Sequence, residues 1–352
     1  MTLIIQKQIT KSVTKLYLKL QDCNLSQLNI SDYNRVYLKN YIDNYDFYMS
    51  IYTQLLSKSI NKLNKPISES TFIDYGGGCG MLSYLAKELG FKSVIYNDIY
   101  QTSVADTHII AEALNLKIDH FICGDVEFFV SEINKQQIRP DLICSFDVLE
   151  HIYKLEEWFN LITKIKCRFD LLFMTHANSQ NPFITNRLKK LQINAEYDGI
   201  KKSAGWKEID LNTSYYEARK NIIIEKFHHL NDGQIELLAK KTRGLRKDDI
   251  EKVVRHFINT SEIAYQIKHP TNTCDPFTGN WAEHLIDLKQ LKNIIIKNQL
   301  TVEITNSFYS YSNNKLLNIP KYLINFIIKV LGKNHLIFSP TYTIEIQKTA
   351  ID

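Results

Sequence analysis

Between Thr71 and Thr175 the chain alternates short apolar runs with longer amphipathic stretches. Thr71–Tyr75 (TFIDY), Ser93–Asp98 (SVIYND), His120–Cys123 (HFIC), Asp141–Phe146 (DLICSF) and Asp170–Thr175 (DLLFMT) read as strands, with helices at Met81–Leu89 and Ser103–Leu114. Apolar runs of this length, set between helices, belong to strands buried on both faces, as in a parallel sheet covered by helices. Strand–helix repetition with right-handed crossovers predicts an α/β fold: a Rossmann-like, doubly wound, mostly parallel sheet.

The flanks follow other rhythms. Residues 1–65 predict a helical N-terminal cap; Ser31-Asp32 starts a helix that meets no Pro or Gly before Ile60. Tyr33, Tyr37, Tyr41, Tyr45, Tyr48 and Tyr52 follow at steps of four and three, which places them on one helix face. That face either packs on the next domain or lines a substrate cavity. Residues 66–177 form the expected nucleotide-type core. Residues 178–280 lose the alternation and predict a helical insertion, read as a substrate cap. Helices are expected there at Gln234–Lys241 and after Asp248-Asp249, where Ile250, Val253, Val254 and Phe257 share a face. Residues 281–352 return to the core pattern, with a helix near Leu285–Lys297 and strands near Leu300–Thr305 and Thr341–Gln347.

Composition narrows the field. The 352 residues are 44% hydrophobic and 23% charged, which supplies a buried core and excludes collagen-like and disordered chains. Lys and Arg exceed Asp and Glu by 43 to 38, a surplus of five and too small for a nucleic-acid footprint. The basic cluster Lys240, Lys241, Arg243, Arg246, Lys247 runs straight into Asp248 and Asp249, as a solvated helix surface does. Cys23, Cys79, Cys123, Cys144, Cys167 and Cys274 form no C-x-x-C pair, so zinc and thioredoxin-type sites have no basis. A reduced, cytoplasmic protein is expected, with Cys123 and Cys144 buried in their apolar runs. The N-terminus has no apolar core of signal-peptide length, and no stretch approaches a bilayer span. Tyr322–Leu331 is densely apolar, with Lys315, Lys321, Lys329 and Lys333 around it. It is expected to cover one face of the sheet; a peripheral membrane contact is the second reading. Nothing in the pattern sets an oligomeric state.

The segment Asp74-Tyr75-Gly76-Gly77-Gly78-Cys79-Gly80 closes the first strand and opens a helix. Ligands of open α/β sheets bind at the carboxyl ends of the strands, and glycines there let a ligand approach the backbone. A dinucleotide turn, G-x-G-x-x-G, would need its third glycine where Met81 stands. The spacing present is acidic-x-G-x-G-x-G: Asp74, Gly76, Gly78, Gly80. Three further segments end strands: Tyr96-Asn97-Asp98, Cys123-Gly124-Asp125-Val126 and Phe146-Asp147-Val148-Leu149-Glu150-His151.

Together these four segments resemble the class I S-adenosylmethionine-dependent methyltransferases, nearest to the ubiquinone-type O-methyltransferase group. Gly279-Asn280-Trp281 before the helix of the sixth strand loosely matches the same group; the 178–280 insertion has no counterpart in it. The resemblance implies S-adenosylmethionine as cofactor, cradled by Asp74, Gly76, Gly78 and Gly80. It implies ribose hydroxyls on Asp98 with Ile99 alongside, adenine beside Asp125 and Val126, and the methionine moiety near Asp147. The expected reaction is methyl transfer to a small molecule, at an oxygen of a sugar, phenol or quinone-like acceptor, with His151 and His176 as candidate bases. No metal is assigned, although some relatives with this segment hold Mg²⁺ on residues equivalent to Asp147, Glu150 and His151. Nucleic acid is disfavoured, because no N-P-P-Y motif follows the fourth strand. Two alternatives stay open: an NAD-type Rossmann oxidoreductase, and a non-catalytic S-adenosylmethionine-binding protein. The polar loop from His269 to Trp281 is expected to shape the acceptor pocket, with Asn272 and Asp275 reaching the acceptor.

Overall fold

The computed structural model describes residues 3–199, 207, 211–311 and 315–349. They form two compact units: Met1–Val148 with Leu155–His176 and Leu288–Asp352, and Leu149–Lys154 with Ala177–Asp287. The 178–280 range includes residues 200–206 and 208–210, which lie outside the described residues.

The first unit begins with three helices, α1 (Leu3–Asp22), α2 (Asp32–Asp43) and α3 (Tyr45–Ile60). Ser31 caps α2 by accepting from the Asn34 N–H, and Asp106 holds both the Ser31 N–H and the Asn34 amide. The single helix expected from Ser31 to Ile60 is broken. Asn44 leaves helical geometry at φ −117°, ψ 34° and bonds back to the Asn40 carbonyl, ending α2 and starting α3. The tyrosines therefore divide. Tyr45 packs on Tyr17 of α1, whereas Tyr41 meets Tyr48 and Tyr52.

After α3 come β1 (Thr71–Tyr75), α4 (Met81–Leu89), β2 (Ser93–Asp98), α5 (Gln101–Ala113), β3 (His120–Cys123), α6 (Val126–Lys135), β4 (Leu142–Phe146), α7 (Leu155–Ile162) and β5 (Phe169–Thr175). The seven-stranded sheet runs β3-β2-β1-β4-β5-β7-β6, closed by β6 (Thr301–Asn306) and β7 (Tyr342–Lys348). The first five strands are mutually parallel in register, and β7 enters antiparallel between β5 and β6. This is the expected mostly parallel α/β sheet. Strand order reverses between β1 and β4, so the crevice of the switch point opens beyond Tyr75 and Phe146. Phe72, Ile73, Ile95, Ile143 and Leu171 are fully buried, which is why these strands read as unbroken apolar runs. Cys144 is buried as expected, but Cys123, at the sheet edge, is only half-buried.

The second unit carries α8 (Pro182–Ile193), whose Leu188 packs with Ala177 and Leu285, and α9 (Tyr215–Lys226), α10 (Asp232–Lys241) and α11 (Lys247–Thr260) around Ile222, Ile223, Leu238, Ile250 and Val254. Asn231 and Gln234 form a reciprocal capping box at the start of α10. Arg219 and Glu196 are a fully buried ion pair, and Thr273 donates to the same carboxylate at 2.6 Å. The His269–Trp281 loop differs from expectation. Asn272 is buried and its side chain bonds Gln192 and both backbone groups of Leu285, while Asp275 accepts from the Phe277 and Thr278 N–H groups. Both side chains are spent on fixing the loop.

Returning to the first unit, α12 (Leu288–Lys297) precedes β6 and α13 (Lys315–Leu331) precedes β7. The apolar stripe of α13 does not cover the sheet. Asn318, Asn325 and Ile328 turn inward, and most of its large apolar side chains are exposed.

Candidate functional site

The glycine loop leaves β1 through a turn that only small residues permit. The Gly76 and Gly77 N–H groups both donate to the Asn97 carbonyl at 2.9 Å, and the Gly80 N–H donates to Gly77. A Cβ on Gly76 would lie 2.6 Å from the Val148 side chain, so that glycine is required by packing. Gly78 is different: at φ +54° an added Cβ would meet nothing within 4 Å, because this point of the loop faces open space. Its peptide is nevertheless pinned. The Gly78 N–H donates to Asp98 Oδ2 at 3.0 Å, and Tyr96 and Thr107 hydroxyls donate to its carbonyl.

Asp74 is buried and accepts from the Ser83 N–H and hydroxyl at 3.0 and 2.8 Å. Desolvation pushes its carboxyl up to about 7 against the pull of Ser83. It thus braces the loop against α4. Asp98 ends β2 with one oxygen on Gly78 and the other on the Tyr100 N–H at 2.8 Å. Ile99 beside it is 70% exposed, an apolar surface at a strand end. Asp125 is exposed and caps α6 by accepting from the Phe128 N–H, with Val126 as the first residue of that helix.

Asp147, past the end of β4, holds φ +52°, a conformation costly for a residue with a Cβ. It aims the carboxylate at the end of β5. There Oδ1 accepts from the His176 backbone N–H and Oδ2 lies 2.8 Å from His176 Nδ1. With the proton on Nδ1, His176 Nε2 becomes the basic nitrogen. The ring lies between Phe146 and Phe47, the latter nearly parallel to it at 6.3 Å. Tyr52 donates to Tyr41 at 2.9 Å and meets Phe146 edge-on; burial pushes both phenols well above their usual range. Tyr33 packs edge-on to Tyr100. Phe47 carried no signal in the sequence, since an isolated phenylalanine is indistinguishable from core; Phe146 is marked there only as part of its strand-end segment.

His151 belongs to the second unit. Its Nδ1 lies 2.8 Å from the Trp281 carbonyl, and Trp281 stacks on His284 at 4.4 Å. Ligand atoms of Glu150, His151 and Glu283 lie within 4.8 Å of one another, close enough to hold one divalent cation. Asp147 is not in that group; it is committed to His176. The 520 Å³ cavity lined by Lys58, Lys62, Glu303, Glu345 and Lys329 includes none of the crevice residues.

No family model matches the chain. It is 27% identical over 137 residues to the mitochondrial ubiquinone biosynthesis O-methyltransferase of Dictyostelium discoideum, covering 37% of this chain and 41% of that protein. The chain thus matches about two fifths of the length of this curated relative. Among solved structures, the plantazolicin methyltransferase BpumL in complex with a triazolic desmethylPZN analogue and SAH superposes with a TM-score of 0.40 at 11% identity, over 98% of this chain and 99% of that one. An S-adenosylmethionine-dependent methyltransferase from Mesorhizobium loti gives 0.37 at 12% identity, over 81% and 94%. The chain is similar to the class I S-adenosylmethionine-dependent methyltransferases, as its strand-end motifs imply, and the curated relative lies in the ubiquinone-type O-methyltransferase group.

Proposed function

We propose that this protein is an S-adenosylmethionine-dependent methyltransferase acting on a small molecule, at a hydroxyl oxygen. The observation that carries the reading is Gly78: a pinned, positively twisted peptide facing open space, beside the Asp98 carboxylate at the switch point of the sheet. That is a cradle in which a Cβ would take up ligand volume. Gly76, Gly78 and Gly80 with Asp98, Ile99, Asp125 and Val126 would hold the nucleoside part. Asp98 suits a vicinal diol because a carboxylate offers two acceptor oxygens, one for each hydroxyl.

S-adenosylmethionine, when bound, supplies a methyl group already activated by the positive sulfur. What remains for the chain is to position the acceptor and take its proton. His176 supports an oxygen acceptor: Asp147 fixes the Nδ1 proton, steers Nε2, and would stabilise the imidazolium once that nitrogen has taken a hydroxyl proton. Phe47 and Phe146 pack against the ring and narrow its freedom. His151 is the alternative candidate base. The six free cysteines suit a reducing, cytoplasmic setting.

A screen with methyl-labelled S-adenosylmethionine against phenols, sugars and quinone precursors tests this. Label should pass to one acceptor class, and His176→Gln should abolish the transfer. Saturable binding of a nicotinamide dinucleotide, with no methyl transfer to any acceptor, would replace the reading.

A further inference from the structure

Helix α13 wears its amphipathicity inside out. Leu316, Ile319, Leu323, Phe326 and Val330 recur at steps of three and four on one face, each 62–75% exposed among the described residues. The residues turned inward include two asparagines: Asn318 and Asn325 are 5% and 8% exposed. Asn325 accepts from the Tyr309 N–H at 2.8 Å and donates to the Tyr309 carbonyl at 2.9 Å, and Lys321 donates to the Ser310 carbonyl at 2.7 Å. The helix is thus held to the protein through polar bonds, while an apolar stripe faces solvent along its whole length of about 25 Å. Tyr322, Ile337 and Phe338 add further exposed apolar surface. A core helix buries its stripe, so this one is built for another phase.

Charge says which. From Ile304 to Ile344 the sequence holds no Asp or Glu, but it holds four lysines, Lys315, Lys321, Lys329 and Lys333, and one histidine, His335.

 Lys329 is exposed beside the stripe, and Lys333 reaches Glu303 of β6 at 2.5 Å. The other acid nearby, Glu345 of β7, is held by Lys62 at 2.7 Å. A second copy of this helix would bring lysines against lysines with no carboxylate of its own segment to meet them.

We infer that α13 lies in the interface of an anionic membrane, with its five-residue stripe among the acyl chains and the exposed Lys329 at the headgroup phosphates. No described helix is long and apolar enough to cross a membrane, so the contact is peripheral. The inference is independent of the methyl-transfer reading.

Co-sedimentation of the full chain with vesicles tests it. Wild-type protein should pellet with phosphatidylcholine vesicles containing about 30% phosphatidylglycerol, and binding should fall at least about tenfold without the anionic lipid. Leu323→Glu/Phe326→Glu should lower binding by at least about tenfold, with an unchanged circular dichroism spectrum and melting temperature, since both side chains are exposed. Failure of the wild type to pellet, or equal binding by the variant, would overturn the inference. So would sedimentation velocity showing a dimer that the variant loses, because the stripe would then be a contact between copies.

Discussion

Asp147 and His176, 29 residues apart, meet at the ends of the neighbouring strands β4 and β5, where one carboxylate holds both the backbone N–H and the ring Nδ1 of the histidine at 2.8 Å. The parallel register of the two strands makes the meeting. On the proposed reading the pair matters because a proton on Nδ1 makes Nε2 the basic nitrogen.

His176→Gln should lower kcat for an oxygen acceptor by about 10²–10⁴-fold while leaving S-adenosylmethionine affinity within about threefold. Asp147→Asn should lower kcat as well, since an amide can donate to Nδ1 and reverse the tautomer. Steady-state kinetics with calorimetric cofactor titration separate the two quantities. Unchanged kcat in His176→Gln would move the base to His151.

Gly76→Ala and Gly78→Ala should fail in different ways. At Gly76 the new methyl meets Val148 at 2.6 Å, so overpacking adds about 1–3 kcal/mol to the strain and the melting temperature falls. At Gly78 there is room, so only the cost of the positive φ remains, about 1–2 kcal/mol, and the protein folds. Its cofactor affinity should nevertheless drop by at least about tenfold, because the methyl occupies the cradle.

The Arg219–Glu196 pair should be unforgiving of single changes. Arg219→Met leaves a buried carboxylate with only Thr273 among the described residues, and should cost about 3–5 kcal/mol in urea denaturation. Replacing both partners with apolar residues should cost less than either single change.

His284 sets an acid limit. Burial pushes its imidazole down to about 4, and its Nδ1 has no hydrogen-bond partner among the described residues. The unfolded chain binds this proton near pH 6.5 and the folded chain only near pH 4, so stability is lost as pH falls through that window. The full loss is about 3 kcal/mol, at about 1.4 kcal/mol per pKa unit. His284→Phe, which keeps a ring on Trp281, should melt with a smaller drop between pH 7 and 4.5 than the wild type. Parallel melting curves would remove the histidine from the account.

The sheet was legible because parallel strands buried on both faces write themselves as apolar runs; β1 and α4 fall where the pattern puts them. The glycine loop was legible because its φ values admit few other residues. What was not legible depends on distant partners. The antiparallel entry of β7 between β5 and β6 leaves no local mark. The break at Asn44 is a hydrogen-bonding choice that periodicity does not record. The stripe of α13 is visible in sequence, but its outward orientation is not, because that follows from Asn325 bonding Tyr309. Asn272 and Asp275 look like substrate ligands until their partners in the loop are seen.

The most direct test of the central claim is a calorimetric titration of the wild-type chain with S-adenosylmethionine and, separately, with NAD. The account predicts saturable one-to-one binding of S-adenosylmethionine, weakened by Asp98→Ala, and no binding of the dinucleotide. Saturation by the dinucleotide, or no heat with S-adenosylmethionine, would contradict it.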